Sequence, residues 1–174
     1  MTLRIRWLGV SGFEVETERY VKIYIDPYLD RRVPFNPPPI LASEIIKADI
    51  VVITHGHFDH FEDTPTILRQ TNSKLVASRI ICNFTEKKYG FSRERLAPLD
   101  YDETIEIRNV KITATKGEHY SPLDIVRLFL GDPSIQAKSR EELVKLYEKV
   151  LPPDLMKFGF SVPRGPLQGY LIVT

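Results

Sequence analysis

The segment Thr54-His55-Gly56-His57-Phe58-Asp59-His60 holds three of the four histidines in the 174-residue chain. Random placement would give the His-x-His-x-x-His spacing on the order of 0.2 percent of the time, which argues against accident. Imidazole mixed with carboxylate, and without thiolate, is the donor set of a catalytic transition metal; structural zinc takes cysteines. In an extended chain, residues two apart project to one side, so His55 and His57 can present their rings to a common point, and Gly56 lets the backbone turn between them. Asp59 and His60 fall after that turn, offset from the first pair, as a second metal position requires. His119 follows another predicted strand and can approach as the third nitrogen of the first position. Three protein ligands leave room for a water whose pKa falls to about 7, so hydroxide becomes available for hydrolysis. Asp26 and Thr54, each at a predicted strand end, are candidates to orient a ligand histidine; for Asp26 a plain Asp-Pro turn is the competing reading.

Strands must carry these groups. Leu3, Ile5 and Trp7 alternate with arginines, and Phe13 and Val15 with glutamates, the period of half-buried strands joined by a turn at Gly9-Val10-Ser11-Gly12. A third strand, Tyr20 to Ile25, stops at Asp26-Pro27. Residues 28–39 contain four prolines and the pair Arg31-Arg32, a surface loop in which the two arginines are candidates to meet an anionic substrate. A short helix around Ser43 to Lys47 precedes Asp49 to Thr54, whose consecutive β-branched residues predict a strand covered on both faces. The histidines begin where that strand ends, the place at which helix-covered sheets bind ligands. A helix capped at Asp63 or Thr64, starting with Pro65, runs to Gln70 or Thr71. Lys74 to Ala77 reads as a strand. Ser78 caps a helix reaching Gly90, with Ile80, Ile81 and Phe84 on one side. After a turn through Pro98, strands at Thr104 to Ile107 and Val110 to Thr115 deliver His119. A helix follows with Leu123, Val126 and Leu130 at helical spacing and Ile125 and Phe129 four apart. Another starts at Ser139 in a capping box with Glu142, and Gly169 to Thr174 reads as a buried strand.

Composition narrows the class. Twenty-four basic and 23 acidic residues, mixed along the chain, give a net charge of +1, so no global field recruits nucleic acid or an anionic membrane. No signal peptide or membrane-spanning run is evident, and Cys82, the single cysteine, excludes an internal disulfide framework. The expectation is a cytoplasmic protein acting on a small molecule, with Cys82 in the core. No composition break or repeat divides residues 1–174, so one domain is expected.

The histidine segment after an apolar strand resembles the His-x-His-x-Asp-His signature of the metallo-β-lactamase superfamily. Trp7-Leu8-Gly9-Val10-Ser11-Gly12-Phe13 and Tyr24-Ile25-Asp26-Pro27 are similar to its branch of ascorbate-phosphate-lactonase-like and uncharacterised metal-dependent hydrolases. The resemblance implies an α/β fold, a four-layer αβ/βα sandwich, here with a helical insertion near residues 121–163. It implies two divalent ions, zinc first with manganese or iron as alternatives. His55, His57 and His119 would hold the first, Asp59 and His60 would belong to the second, and Asp59 would also orient the hydroxide. Two departures stand out. The branch carries histidine where Val10 stands, and it continues past a strand like Gly169 to Val173 into a Gly-Asp-Thr turn and a final histidine that this sequence lacks. The chain therefore reads as an incomplete domain at its C-terminal end. The expected function is hydrolysis of a small ester, lactone or phosphoester. The alternative is a non-catalytic metal-binding module completed by downstream sequence or another chain, itself or a partner, through the edge of the last strand.

Overall fold

A computed structural model describes residues 3–30, 37–151, 153 and 162–174. The first sheet has six strands in sequence order: β1 (Arg4–Gly9), β2 (Gly12–Glu16), β3 (Lys22–Ile25), β4 (Ile50–Val52), β5 (Lys74–Ala77) and β6 (Leu96–Pro98). β1 to β3 pair antiparallel, then β3 to β6 pair parallel. The change of direction follows from the connections: tight turns join the first strands, whereas longer crossovers with helices join the later ones. Those helices are α1 (Phe58–Phe61) and α2 (Thr64–Gln70) between β4 and β5, and α3 (Arg79–Tyr89) between β5 and β6. A second, antiparallel sheet contains β7 (Thr104–Ile107), β8 (Val110–Lys116) and β9 (Gln168–Val173), with α4 (Pro122–Leu130) and α5 (Arg140–Tyr147) inserted between the last two strands.

Alternation along β4 and β5 builds both cores. Val51, Ile53, Leu75 and Ala77 pack with Phe61, Ile67, Leu68, Ile81 and Cys82 on the helical side. Ile50, Val52 and Val76 pack with Val110, Ile112 and Ala114 between the sheets. The strands are apolar on both faces because both are covered, as the β-branched run predicts. Because β3 and β4 run parallel, Asp26 and Thr54 arrive at the same edge of the sheet. β8 ends at Lys116, three residues before His119.

Local signals in the sequence have their expected partners at several ends. Ser78 Oγ accepts the Ile81 amide and Gly90 closes α3 in the left-handed region at φ 74. Cys82 is buried, its thiol against the Ala77 carbonyl at 3.6 Å, and burial pushes that thiol up to about 12. It stays a protonated core side chain.

Other expectations change. Ile5 and Trp7 are 61% and 64% exposed rather than half-buried, because β1 is an edge strand and the three-stranded sheet does not extend over it. The last strand is not buried: Tyr170 and Ile172 pack inward, but Leu171 and Val173 on the other face remain exposed. The helix expected at Ser43 to Lys47 is one 3-10 turn, Ala42–Glu44. Leu96–Pro98, read as a turn, is a strand, and Pro98 is tolerated because β6 lies at the sheet edge. Ile80 points to solvent, since the buried stripe of α3 runs through Ile81, Cys82 and Thr85. Of the apolar residues expected to pack along α4, only Val126 is fully buried, while Phe129 and Leu130 are exposed. Ser139 caps α5 as expected, but the Glu142 carboxylate accepts the Lys138 amide rather than that of Ser139. Asp63 is the N-cap position of α2, yet its carboxylate accepts the amides of Leu29 and Asp30, holding the β3–β4 connection. No helix among the described residues is long and apolar enough to cross a membrane.

Candidate metal centre

Four imidazoles meet beyond the ends of β3, β4 and β8. The His55 ring stands 4.4, 4.1 and 5.0 Å, centroid to centroid, from those of His57, His60 and His119. The segment that brings them there is not an extended strand throughout. β4 ends at Val52, and His57 is the N-cap of the single-turn helix α1, its carbonyl accepting the amides of His60 and Phe61. Asp59 and His60 lie within this turn, His57 at its start. A four-residue helix carries no periodicity, so the sequence does not announce it.

Gly56 is held by a close approach. Its amide donates to the Arg164 carbonyl at 2.8 Å, and a Cβ there would lie 2.1 Å from the Pro163 carbonyl oxygen. The loop before β9 is thus pressed onto the histidine segment. β9 itself is fastened below: the Gln168 amide donates to the Thr54 carbonyl at 3.0 Å, and the Tyr170 hydroxyl to the Ile53 carbonyl at 3.0 Å. Gln168, Tyr170, Pro163 and Arg164 carry no local sequence signal for this site, because only the chain's tertiary path brings them here.

Hydrogen bonds fix which nitrogens are free. Asp26 is buried and accepts from the Thr54 amide (2.8 Å), the Thr54 hydroxyl (2.7 Å) and His60 Nδ1 (2.8 Å). With its proton given to Asp26, Thr54 Oγ1 can only accept from His55 Nδ1 at 3.1 Å, leaving the lone pair of His55 on Nε2. His119 Nδ1 donates to the Tyr120 carbonyl at 2.6 Å, leaving its lone pair on Nε2 as well. His55 Nε2 lies 2.9 Å from His57 Nδ1. Among the described residues, His55, His57 and His119 form the one group of three donors whose ligand atoms lie within 4.8 Å of one another. Tetrahedral nitrogen ligands about 2.1 Å from a metal stand roughly 3.4 Å apart, so small side-chain movements would accommodate an ion.

Electrostatics favour unprotonated rings. Burial, with repulsion from the neighbouring histidines and Arg164, pushes His55 down to about 2 and His57 to about 4. Their lone pairs are available for coordination at neutral pH. His60 differs: burial opposes its charge, but the hydrogen bond and charge of Asp26, together with Asp59, raise its pKa overall. Burial raises the Asp59 carboxyl against the opposing pull of His60. His60 Nε2 is 3.6 Å from Asp59 Oδ2, and the Ser11 hydroxyl donates to the Asp59 carbonyl at 3.0 Å. Asp59 and His60 are therefore adjacent to the three-histidine group, engaged with each other and with Asp26. Arg31 and Arg32 lie outside the described residues.

Comparison with known proteins identifies the family. A family model described as a beta-lactamase superfamily domain matches residues 21–136, more than half of the chain. A UPF0173 metal-dependent hydrolase of Methanosarcina mazei is 30% identical over 122 residues, covering 70% of this chain and 49% of that protein. One from Methanobrevibacter smithii is 32% identical over 147 residues, covering 83% of this chain and 58% of that protein. The chain spans about half the length of the curated relatives it matches. Among solved structures, Igni18, a metallo hydrolase from the hyperthermophilic archaeon Ignicoccus hospitalis, superposes with a TM-score of 0.62 at 19% identity, over 99% of this chain and 56% of that one. The isothiocyanate hydrolase from Delia radicum gut bacteria gives 0.57 at 14% identity, over 99% and 57%. These two likenesses concern the fold. The matched region runs from β3 through the histidine segment and His119, and the chain belongs to the metallo-β-lactamase superfamily.

Proposed function

We propose that this chain is a metal-dependent hydrolase, with the primary ion held by His55, His57 and His119 and a small ester, lactone or phosphoester as substrate. The observation that carries the reading is the convergence of His55 Nε2, His57 Nδ1 and the His119 ring in one group, each ring unprotonated or oriented by a hydrogen bond on its other side. The names of the curated relatives support the same reaction class. We further propose that residues 1–174 act as one domain in a reducing, cytoplasmic setting.

A bound divalent ion, zinc by the all-nitrogen donor set, supplies Lewis acidity toward water and toward the carbonyl or phosphoryl group. The chain's own residues do the rest. Thr54 holds His55 in the tautomer that leaves Nε2 free, and the Tyr120 carbonyl does the same for His119. Asp59, its carboxyl raised by burial, orients the attacking water and takes up its proton. Asp26 fixes the His60 ring through Nδ1, so that Nε2 faces Asp59. Asp59 and His60 are a second donor set, which a further donor from another segment or a partner chain would complete as a second metal position.

The test is hydrolysis of aryl ester, lactone and phosphodiester substrates by zinc-loaded protein, alongside His57→Ala and Asp59→Asn. Loss of zinc and turnover in the first variant, with loss of turnover at retained zinc in the second, is expected. Absence of tightly bound metal, or hydrolysis unchanged in His57→Ala, would overturn the reading.

A further inference from the structure

The two loops that carry the candidate ligands meet on a single peptide group. The Leu167 carbonyl accepts the Gly117 amide at 3.1 Å, two residues before His119. The Gln168 amide donates to the Thr54 carbonyl at 3.0 Å, one residue before His55. That carbonyl and that amide belong to one peptide bond, and in a trans peptide C=O and N–H point in opposite directions. The Leu167–Gln168 peptide therefore lies between the loops and joins them, with the path to His119 on one side and the path to His55 and His57 on the other. β9 is the last strand of its sheet, so the Gln168 amide has no neighbouring strand to bond and reaches the first sheet instead.

The β6–β7 connection pins this peptide from below. The Tyr101 hydroxyl donates to the Leu167 carbonyl at 3.0 Å. Gln168 is buried; its Nε2 donates to the Leu99 carbonyl at 2.6 Å, and its Oε1 lies 2.7 Å from the Tyr170 hydroxyl, which also reaches the Ile53 carbonyl. A buried amide engaged at both ends holds its backbone in one place. Gly117 is pressed against the same residue: a Cβ there would lie 3.1 Å from Leu167 Cδ2, so the His119 loop has little room to slide. Neither Tyr101 nor Gln168 belongs to the three-histidine group. What they fix is where its two halves stand, and ligands already in place bind an ion without the cost of ordering them.

We propose that Tyr101 and Gln168 are positioning residues of the metal centre, acting through the Leu167–Gln168 peptide to set His119 against His55 and His57. This rests on the three-histidine reading above and adds the part of the chain that decides how tightly that group takes an ion.

The test compares wild type, Tyr101→Phe and Gln168→Met in three measurements. Zinc affinity is read by chelator competition and stability by urea unfolding of metal-free protein. NMR cross-relaxation in metal-free protein reports the approach of the His119 ring to those of His55 and His57, whose centroids lie 5.0 and 4.7 Å from it. Tyr101 is 39% exposed, so phenylalanine replaces it without repacking the core. Zinc affinity is expected to fall about fivefold in Tyr101→Phe, the equivalent of one neutral hydrogen bond, and about tenfold or more in Gln168→Met, which forfeits two. The His119 cross-peaks are expected to weaken in both. Wild-type zinc affinity or wild-type cross-peaks in Tyr101→Phe overturns the proposal; a lowered urea midpoint alone is the mark of a merely structural role. If Gln168→Met does not fold, Tyr101→Phe decides alone. If wild type holds no zinc, the three-histidine reading fails by itself, and the His119 cross-peaks decide the positioning proposal: weakened in Tyr101→Phe they support it, unchanged they reject it.

Discussion

Replacing Gly56 with alanine demands space that the Pro163 backbone and the Ile81 side chain already occupy. The new Cβ would lie 2.1 Å from the Pro163 carbonyl oxygen and 2.7 Å from Ile81 Cδ1. The first distance is roughly 1.2 Å short of an ordinary carbon–oxygen contact of about 3.3 Å. A methyl can swing aside, but a carbonyl cannot move without its loop. Moving that loop also breaks the hydrogen bond from the Gly56 amide to the Arg164 carbonyl. Overpacking of about 1 to 3 kcal/mol and one lost buried hydrogen bond of about 1 kcal/mol give an expected destabilisation of about 2 to 4 kcal/mol. Urea unfolding of metal-free protein measures it. Because His55 and His57 flank the substitution, zinc affinity should fall with stability. The double variant Gly56→Ala/Ile81→Val separates the two contacts: valine removes the Cδ1 obstruction, the carbonyl remains, and most of the loss should persist. Stability of Gly56→Ala within about 0.5 kcal/mol of wild type, the range of an inconsequential surface change, would refute the reasoning, as would complete rescue by Ile81→Val.

Other predictions follow from the same geometry. Asp26→Asn removes the negative charge that raises the His60 pKa against burial, so the His60 imidazole, followed by NMR, should titrate at lower pH. A raised folded-state pKa stabilises fully below the unfolded value of about 6.5 and is lost as pH rises through the folded one, so the penalty of about 1 to 3 kcal/mol should be largest in acid. His55 and His57 have the opposite sign: held at about 2 and about 4 against an ordinary 6.5, they favour the folded state above 6.5 and withdraw that contribution as pH falls. Metal-free protein should therefore lose stability between pH 6.5 and 4, by up to about 1.4 kcal/mol per pH unit per proton bound, and a flat profile there would contradict it. Val10 is a β-branched residue at φ 51 in the β1–β2 turn, so Val10→Gly should raise the unfolding free energy by about 1 kcal/mol; a decrease would show that the turn tolerates valine without strain.

The candidate metal centre is legible because metal chemistry uses few residue types at close spacing: the identities of His55, His57, Asp59, His60 and His119 suffice to draw attention to them. The central strands were legible for a similar reason, since the run Ile50 to Ile53 is apolar on both faces and β4 is covered on both faces. Caps at Ser78 and Ser139 were legible because a hydroxyl three residues before a needy amide acts locally. What escaped depends on the path of the whole chain. Ile5 and Trp7 have the alternation of buried residues, and only the reach of the second sheet leaves them exposed. Pro98 reads as a turn until β6 is known to be an edge strand. Nothing in Pro163-Arg164-Gly165 signals contact with Gly56, more than a hundred residues earlier in the chain.

The central claim, that three histidines from two distant segments form one metal position, is tested most directly by zinc content and affinity in wild type, His57→Ala and His119→Ala. The account predicts one tightly held ion per chain through this group, and its loss in either variant, although His57 and His119 are 62 residues apart in the sequence. Wild-type zinc affinity in His119→Ala would contradict it, because the ion would then be held by the Thr54 to His60 segment alone.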